Sequence, residues 1–306
     1  MNDMLGTLTT VFGDQIRRVI KVSKAPTVIN EDNVYQKGDH DVLSILDEMV
    51  NHLILPQSGL DGMNHLEELM DKANSGKSCL LLVEHYSNMD LSIVSLFARM
   101  EGARINKPKL GQEISDAIIA IAGMKLNEDN PVVAAFTGAY TKIVICPSRS
   151  IQELDPEKDK DQIIRMNAIN RAAMKSLIRH KYKGKLFLVF PSGTRYRSWD
   201  PDSKKGVREI DSYIRSFDYM CFVTINGEVL HVQKTDMMND AVSKDIIRVT
   251  VSPVIDCNKF RDNVLEAASE DEDKKQAVAD AIMNELEKMH IAAEADRLKL
   301  FNLNES

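Results

Sequence analysis

The sequence lacks the features that mark membrane-spanning, disulfide-bonded and metal-binding proteins. Its longest apolar run, around 117–122, is far shorter than the roughly 18 residues that a spanning helix requires. The four cysteines are scattered and form no Cys-x-x-Cys pair, so we expect reduced, buried thiols. The N-terminus shows no signal-peptide pattern, which predicts a cytoplasmic protein. Nothing in the sequence indicates a cofactor or a metal site.

Two common enzyme motifs are also missing. No Gly-x-Ser-x-Gly elbow occurs, which argues against a serine hydrolase. Residues 74–78 superficially resemble a phosphate-binding loop. However, Asp71 stands where the first glycine belongs, and a strand-like run follows instead of a helix. We therefore reject a P-loop.

The net charge of the chain limits the classes of molecule that it can bind. A net charge of -7 argues against binding to nucleic acid or to broad anionic surfaces. The first predicted helix, 1–24, is nevertheless amphipathic and basic. Such a helix can make a peripheral membrane contact or can simply pack on a core, and the sequence leaves both open.

The pattern of apolar residues predicts an α/β fold. From residue 77 onward strand-like runs alternate with helical patterns, which indicates a mixed central sheet flanked by helices. The predicted strands are 79–84, 132–136, 142–146, 186–190, 220–225 and 246–252. A hairpin is expected where 221–224 and 229–232 flank Asn226 and Gly227. A final helix is expected at 276–298, packed on the sheet.

The N-terminal part differs from this pattern. Helical patterns at 1–24, 40–55 and 60–74 come without strand signals. We therefore predict two domains, a small helical N-terminal domain (1–75) and an α/β domain (76–306).

One apolar strand ends at a histidine that can act as a base. His85 follows the run 80–83, and Asp90 comes five positions later. On one continuous helix these side chains would lie about 140° apart, so they can meet only if a new helix begins near Asn88. Asp90 would then hold one ring nitrogen while the other accepts a proton. A lone histidine is more often structural, so this hypothesis needs a second motif.

A second apolar strand, 187–190, ends in a turn that carries two arginines. Arg195 and Arg197 are two residues apart and would share one face of an extended loop. Paired guanidiniums suit a phosphate monoester because they form bidentate, charge-assisted hydrogen bonds. Arginines in polar loops are also commonly just solvated, so this interpretation is left open too.

Together the two segments resemble the glycerolipid acyltransferase superfamily. His85 and Asp90 match its His-x4-Asp motif. Residues 190–195 match its Phe-Pro-Glu-Gly-Thr-Arg block, with Ser192 in place of Glu. The Pro-Ser-Gly-x-Arg-x-Arg form at 191–197 is similar to that of the soluble plastid-type glycerol-3-phosphate acyltransferases. The helical start fits as well, because those enzymes have a helical N-terminal domain.

The resemblance covers roughly residues 60–235 and implies a reaction. A fatty acyl group would pass from an acyl thioester, carried by acyl-carrier protein or coenzyme A, to the sn-1 hydroxyl of glycerol 3-phosphate, the first step of phospholipid synthesis. His85 would be the base and Asp90 its orienting partner. Alternatives are acylation of 1-acylglycerol 3-phosphate and a non-catalytic or hydrolytic module that binds acyl thioesters.

The resemblance also implies roles for other residues. The phosphate would be held by Arg195, Arg197 and Arg149. The oxyanion donors would come from the turn, which contains Ser192, Gly193 and Thr194, or from the start of the helix predicted at 88–101. A basic cluster could dock an acidic carrier protein, or its members could serve only helix capping and solubility; it comprises Arg179, His180, Lys181, Lys183, Lys185, Lys204, Lys205 and Arg208.

Overall fold

A computed structural model describes residues 4–235 and 237–302, of which 301 and 302 are described only as backbone. Within these ranges the chain is mixed α/β. The strands are β1 Met4–Thr7, β2 Tyr35–Gln36, β3 Gly59–Asp61, β4 Cys79–Val83, β5 Ile118–Gly123, β6 Lys142–Ile145, β7 Leu186–Val189, β8 Tyr219–Asn226, β9 Leu230–His231, β10 Ala241–Ser243, β11 Arg248–Val251 and β12 Ile255–Asp256.

The helices surround these strands. They are α1 Leu8–Val22, α2 His40–Leu53, α3 Met63–Asn74, α4 Asp90–Arg104, α5 Pro108–Ala117, α6 Lys125–Glu128, α7 Pro131–Thr137, α8 Ser148–Gln152, α9 Lys160–His180, α10 Ile210–Ser216, α11 Cys257–Ala267 and α12 Lys274–Asn302. Short 3-10 turns span Pro201–Lys204 and Met237–Asn239. None of the described helices has both the length and the apolarity of a membrane span.

A nine-stranded mixed sheet organises the fold. Its order is β2-β6-β5-β7-β4-β8-β11-β3, with β12 also paired to β8. The central neighbours β6, β5, β7, β4 and β8 run parallel. Strand β2 runs antiparallel to β6, and β11 runs antiparallel to β8 but parallel to β3. Strands β4 and β7 are buried along their whole length, as expected for parallel strands covered on both faces. This confirms the predicted mixed sheet flanked by helices.

Helices cover both faces of the sheet. Alternate side chains of β4 point to opposite sides, so Leu81 packs with α1 to α5, whereas Leu80 packs with α9 to α12. All four cysteines lie buried and unpaired, as predicted. The helix expected at 276–298 is α12, and its buried Val278 and Ile282 pack on the second face.

The N-terminal segment is mostly helical but also joins the sheet. Its strands β2 and β3 form the two edges of the nine-stranded sheet, and its helices share the core of the first face. Helix α1 begins at Leu8 rather than near residue 1, after the short strand β1. Leu8, Phe12, Ile16 and Val19 of α1 are buried against the core, whereas Ile20 is half-exposed. A peripheral membrane contact of this helix stays a prediction. The division at 75/76 falls in the turn between α3 and β4, and the two-domain division itself stays a prediction.

Two local predictions were wrong. Residues 132–136 form helix α7 instead of a strand, because the Asn130 side chain accepts the N–H of Val132 at 2.9 Å and Pro131 occupies the first turn. The missing strand is β5, directly after α5. The predicted hairpin does not form either, because Leu230 of β9 pairs with Val242 of β10 in a separate three-stranded sheet.

Candidate active site

The turn after β4 brings His85 and Asp90 together as the sequence predicts. Strand β4 ends at Val83 and α4 begins at Asp90, so the chain reverses in between. His85 Nδ1 lies 2.9 Å from Asp90 Oδ2. A carboxylate beside Nδ1 favours the tautomer with a proton there, which leaves Nε2 as the nitrogen available to a substrate.

The Asp90 carboxylate also organises the turn. It accepts hydrogen bonds from the N–H of Tyr86 at 2.7 Å and from the N–H and hydroxyl of Ser87 at 2.9 and 2.8 Å. Its place at the first residue of α4 adds the favourable field of the helix N-terminus. The side chain is almost wholly buried, so these donors replace its lost hydration. The imidazole orientation is therefore fixed by a rigid anchor.

The loop after β7 lies directly against this turn. Strands β4 and β7 are neighbours in the sheet, so both loops emerge at the same edge. The ring of Phe190 stacks on that of His85, with centroids 3.9 Å apart and planes 13° apart. The N–H of Tyr196 donates to the carbonyl of His85 at 2.8 Å. The two sequence motifs thus form one site.

The turn 191–194 is held by its own hydrogen bonds. Gly193 has φ of +63°, a conformation that favours glycine, and its N–H donates to the Phe190 carbonyl at 2.9 Å. The Ser192 hydroxyl donates to the Thr194 carbonyl at 2.7 Å. The Gly193 amide is already engaged by the Phe190 carbonyl, which argues against Gly193 as an oxyanion donor.

The three candidate arginines have different partners. Arg195 forms an ion pair with the fully buried Asp240 at 2.8 Å. Arg197 is more exposed and contacts Asp200 at 3.5 Å and the Thr194 hydroxyl at 3.2 Å. Of the three, Arg149 lines the cavity beside His85, and it donates to the Gly193 carbonyl at 3.0 Å. Arg195 and Arg197 do not line the cavity, and their role in phosphate binding stays a prediction.

A cavity of about 550 Å³ opens next to His85. It enters the sheet where β5 and β7 separate. Those strands pair only as far as Ala120 and Leu188, after which β5 continues with β6 alone. In α/β sheets ligands commonly bind in such a crevice at the carboxyl ends of the strands.

The cavity has an arm on each face of the sheet, and its walls are mostly apolar. We call the part lined by Ala120, Ala122 and side chains of α7 the α7 arm. The part lined by Ile121, Ile143 and side chains of α9 is the α9 arm. An apolar chain or two could lie in this space.

Comparison with known proteins does not assign a function to this site. No family model matches the chain, and no curated protein matches it either.

Several residues near the site were not predicted from the sequence. Asp240 lies 45 positions beyond its partner Arg195, so no local pattern connects the two. Glu84, next to His85, is buried and lies 2.9 Å from His290 Nδ1 of α12. Lys142 was visible as a lysine at the head of an apolar run, which is an unusual position for a charge.

Proposed function

We propose that this protein is an acyltransferase that moves a fatty acyl group from a thioester to the sn-1 hydroxyl of glycerol 3-phosphate, in the cytoplasm, as the first step of phospholipid synthesis. The observation that carries the proposal is the His85 and Asp90 pair at the mouth of a largely apolar cavity, beside an arginine. The pair supplies a base, the cavity suits an acyl chain, and Arg149 suits a phosphate.

The proposed chemistry balances without a covalent enzyme intermediate. His85 Nε2 takes the proton of the glycerol hydroxyl as its oxygen attacks the thioester carbonyl. The tetrahedral intermediate collapses, the carbon–sulfur bond breaks, and the imidazolium returns the proton to the leaving thiolate. Asp90 holds the ring and stabilises its positive charge during the step, as in a triad whose hydroxyl is supplied by the substrate. The products are the acyl ester and the free thiol.

The arginines divide into two proposed roles. Arg149 and the partly exposed Arg197 would bind the phosphate and hold the hydroxyl close to Nε2, where proximity lowers the barrier. Arg195 would act indirectly, because its ion pair with Asp240 joins the 191–197 loop to the segment after β9. The oxyanion would be stabilised by a backbone N–H near Thr194 or at the start of α4.

The decisive experiment is an assay of thiol release. The protein is incubated with acyl-coenzyme A or acyl-carrier protein, with and without glycerol 3-phosphate. We expect acceptor-dependent release of thiol with formation of a 1-acyl product. Thiol release that is the same without the acceptor would indicate a hydrolase, and tight binding without release would indicate a non-catalytic module.

One structural feature favours the neighbouring reaction, acylation of 1-acylglycerol 3-phosphate. The cavity has two arms, and that acceptor would bring a second acyl chain. An acyl transfer assay that offers each acceptor separately distinguishes the two. A higher kcat/KM with the 1-acylated acceptor would replace our assignment.

A further inference from the structure

Lys142 is a buried lysine in the wall of the α7 arm. It is the first residue of β6, and only 2% of its surface is exposed. Its Nζ donates to the Thr137 hydroxyl at 2.6 Å. No carboxylate among residues 4–235 and 237–302 forms an ion pair with it. Burial alone lowers the pKa of Lys142 to about 7.

The hydrogen bonds of this amine are incomplete. The Thr137 hydroxyl gives its own proton to the Ala134 carbonyl at 3.2 Å and so can only accept from Lys142. An ammonium carries three N–H donors and a neutral amine carries two. At least one N–H of Lys142 therefore remains for a group in the arm. Leaving a buried donor unsatisfied is unfavourable, so an acceptor oxygen there would be bound.

A second polar pair lies in the same arm. The Tyr140 hydroxyl donates to Ser92 Oγ at 2.7 Å, and both residues line the cavity. The surrounding wall is apolar and includes Ala120, Val133 and Phe136. The arm thus combines an apolar wall with polar groups, an arrangement that suits a mostly hydrocarbon ligand bearing an oxygen.

The position of Lys142 indicates where along a chain that oxygen would lie. Cross-strand pairing puts Lys142 in one row with Ala120, Leu188 and Leu81. Three strand spacings, about 14 Å, separate β6 from β4, and His85 lies beyond the end of β4. The amine is therefore distant from the reacting carbonyl and would meet the far part of an acyl chain.

We propose, resting on the acyltransferase function above, that the α7 arm selects acyl chains carrying an oxygen toward their far end, with Lys142 donating a hydrogen bond to it. A hydroxyl or carbonyl at that point satisfies the amine without a second charge. A chain ending in a methyl group leaves the donor unsatisfied. Lys142 is thus a specificity-determining residue.

The test compares lauroyl-coenzyme A, ω-hydroxylauroyl-coenzyme A and β-hydroxylauroyl-coenzyme A as donors. In the wild type we expect kcat/KM for the ω-hydroxylated chain to exceed that for the plain chain by about ten-fold, the effect of one well-formed hydrogen bond. The β-hydroxyl, which lies near the thioester, should give no such gain. Lys142→Met should abolish the preference, and Lys142→Gln, which keeps a donor, should retain part of it.

The matched control is Lys125→Met, which removes an exposed lysine outside the cavity wall and should leave the preference unchanged. Equal kcat/KM for lauroyl-coenzyme A and ω-hydroxylauroyl-coenzyme A in the wild type overturns the proposal, and so does a preference that survives Lys142→Met. In both cases the transfer to glycerol 3-phosphate still stands. If no transfer occurs, the acyltransferase function fails by itself. Isothermal titration calorimetry with methyl laurate and methyl ω-hydroxylaurate then still tests the arm. We expect the hydroxylated ester to bind about ten-fold more tightly, and equal affinities would contradict the proposal.

Discussion

Asp90 has two tasks, because it orients His85 and also accepts hydrogen bonds from the turn before α4. Replacing Asp90 would leave the Tyr86 and Ser87 amides without their acceptor, so lost activity in such a variant would mix chemistry with structure. His85 has a partly exposed side chain at the cavity mouth. It is therefore the cleaner probe of the chemistry.

We predict that His85→Ala lowers kcat for acyl transfer by about 10²–10⁴-fold, the usual effect of losing a general base. The free energy of unfolding should change far less than it does for Asp90→Ala. Steady-state kinetics together with urea unfolding of both variants check this. Transfer close to wild-type rate in His85→Ala would exclude the imidazole as the base.

Lys142 should make stability depend on pH in a defined window. Its pKa is lowered to about 7 in the folded protein, whereas a lysine in the unfolded chain has a pKa near 10.4. Between these values the unfolded state binds one more proton, so stability rises with pH. Below about pH 7 both states are protonated and the cost of the buried charge is fully present.

We therefore expect Lys142→Met to be more stable than the wild type at pH 6.5. That advantage should shrink by up to about 1.4 kcal/mol per pH unit between pH 7 and 10. Urea unfolding at several pH values measures it. Lys158→Met, at an exposed lysine, is the control and should show no such trend. Parallel pH profiles for the wild type and Lys142→Met would contradict the prediction.

At the scale of elements, the 191–197 loop is fixed by contacts at both of its sides. On one side it bonds to the turn after β4 through Tyr196 and the His85 carbonyl. On the other, Arg195 pairs with Asp240 just before β10. Asp240 is fully buried, so this ion pair joins the loop to the protein interior.

We predict that Arg195→Ala lowers the free energy of unfolding by about 3 kcal/mol, because it removes the arginine from a buried ion pair. Arg149→Ala is the matched comparison. Its side chain is exposed, so stability should change by less than about 0.5 kcal/mol while the KM for glycerol 3-phosphate rises. Chemical denaturation and acceptor titration separate the two effects. An Arg195→Ala protein of unchanged stability would mean that the ion pair contributes little.

At the scale of the whole molecule, Asp245 connects distant parts of the chain. Its backbone exchanges hydrogen bonds with Leu53, the last residue of α2, and with Leu55. Its carboxylate accepts the N–H of Glu228 at 2.9 Å and pairs with Arg297 of α12 at 2.9 Å. The end of α2, the turn after β8 and the C-terminal helix thus meet at Asp245.

Removing Arg297 should therefore weaken the whole fold. We expect Arg297→Ala to lower the free energy of unfolding by about 3–5 kcal/mol, as for a broken buried ion pair. Lys299→Ala, on the same helix but in an exposed pair, should change it by less than about 0.5 kcal/mol. Thermal unfolding of both variants is the measurement. Equal melting temperatures would show that α12 is not held through this contact.

The sequence was most informative where burial alone decides structure. Strands β4 and β7 were predictable because central parallel strands are covered on both faces and appear as continuous apolar runs. Strand β5 was not, because it follows α5 without a break and its apolar run had no turn before it. The apolar residues of α7 suit a helix or a strand equally, and the cap at Asn130 decided between them.

The sequence by itself determined that a histidine and an aspartate would meet across a strand-to-helix turn, because only six residues are involved and their local preferences agree. Only the tertiary structure decided the partners of the arginines, the crevice between β5 and β7, and the burial of Lys142 in its wall. These features depend on which strands become neighbours and on contacts between residues far apart in the chain. Such contacts are set by packing of the whole molecule, which no local pattern encodes.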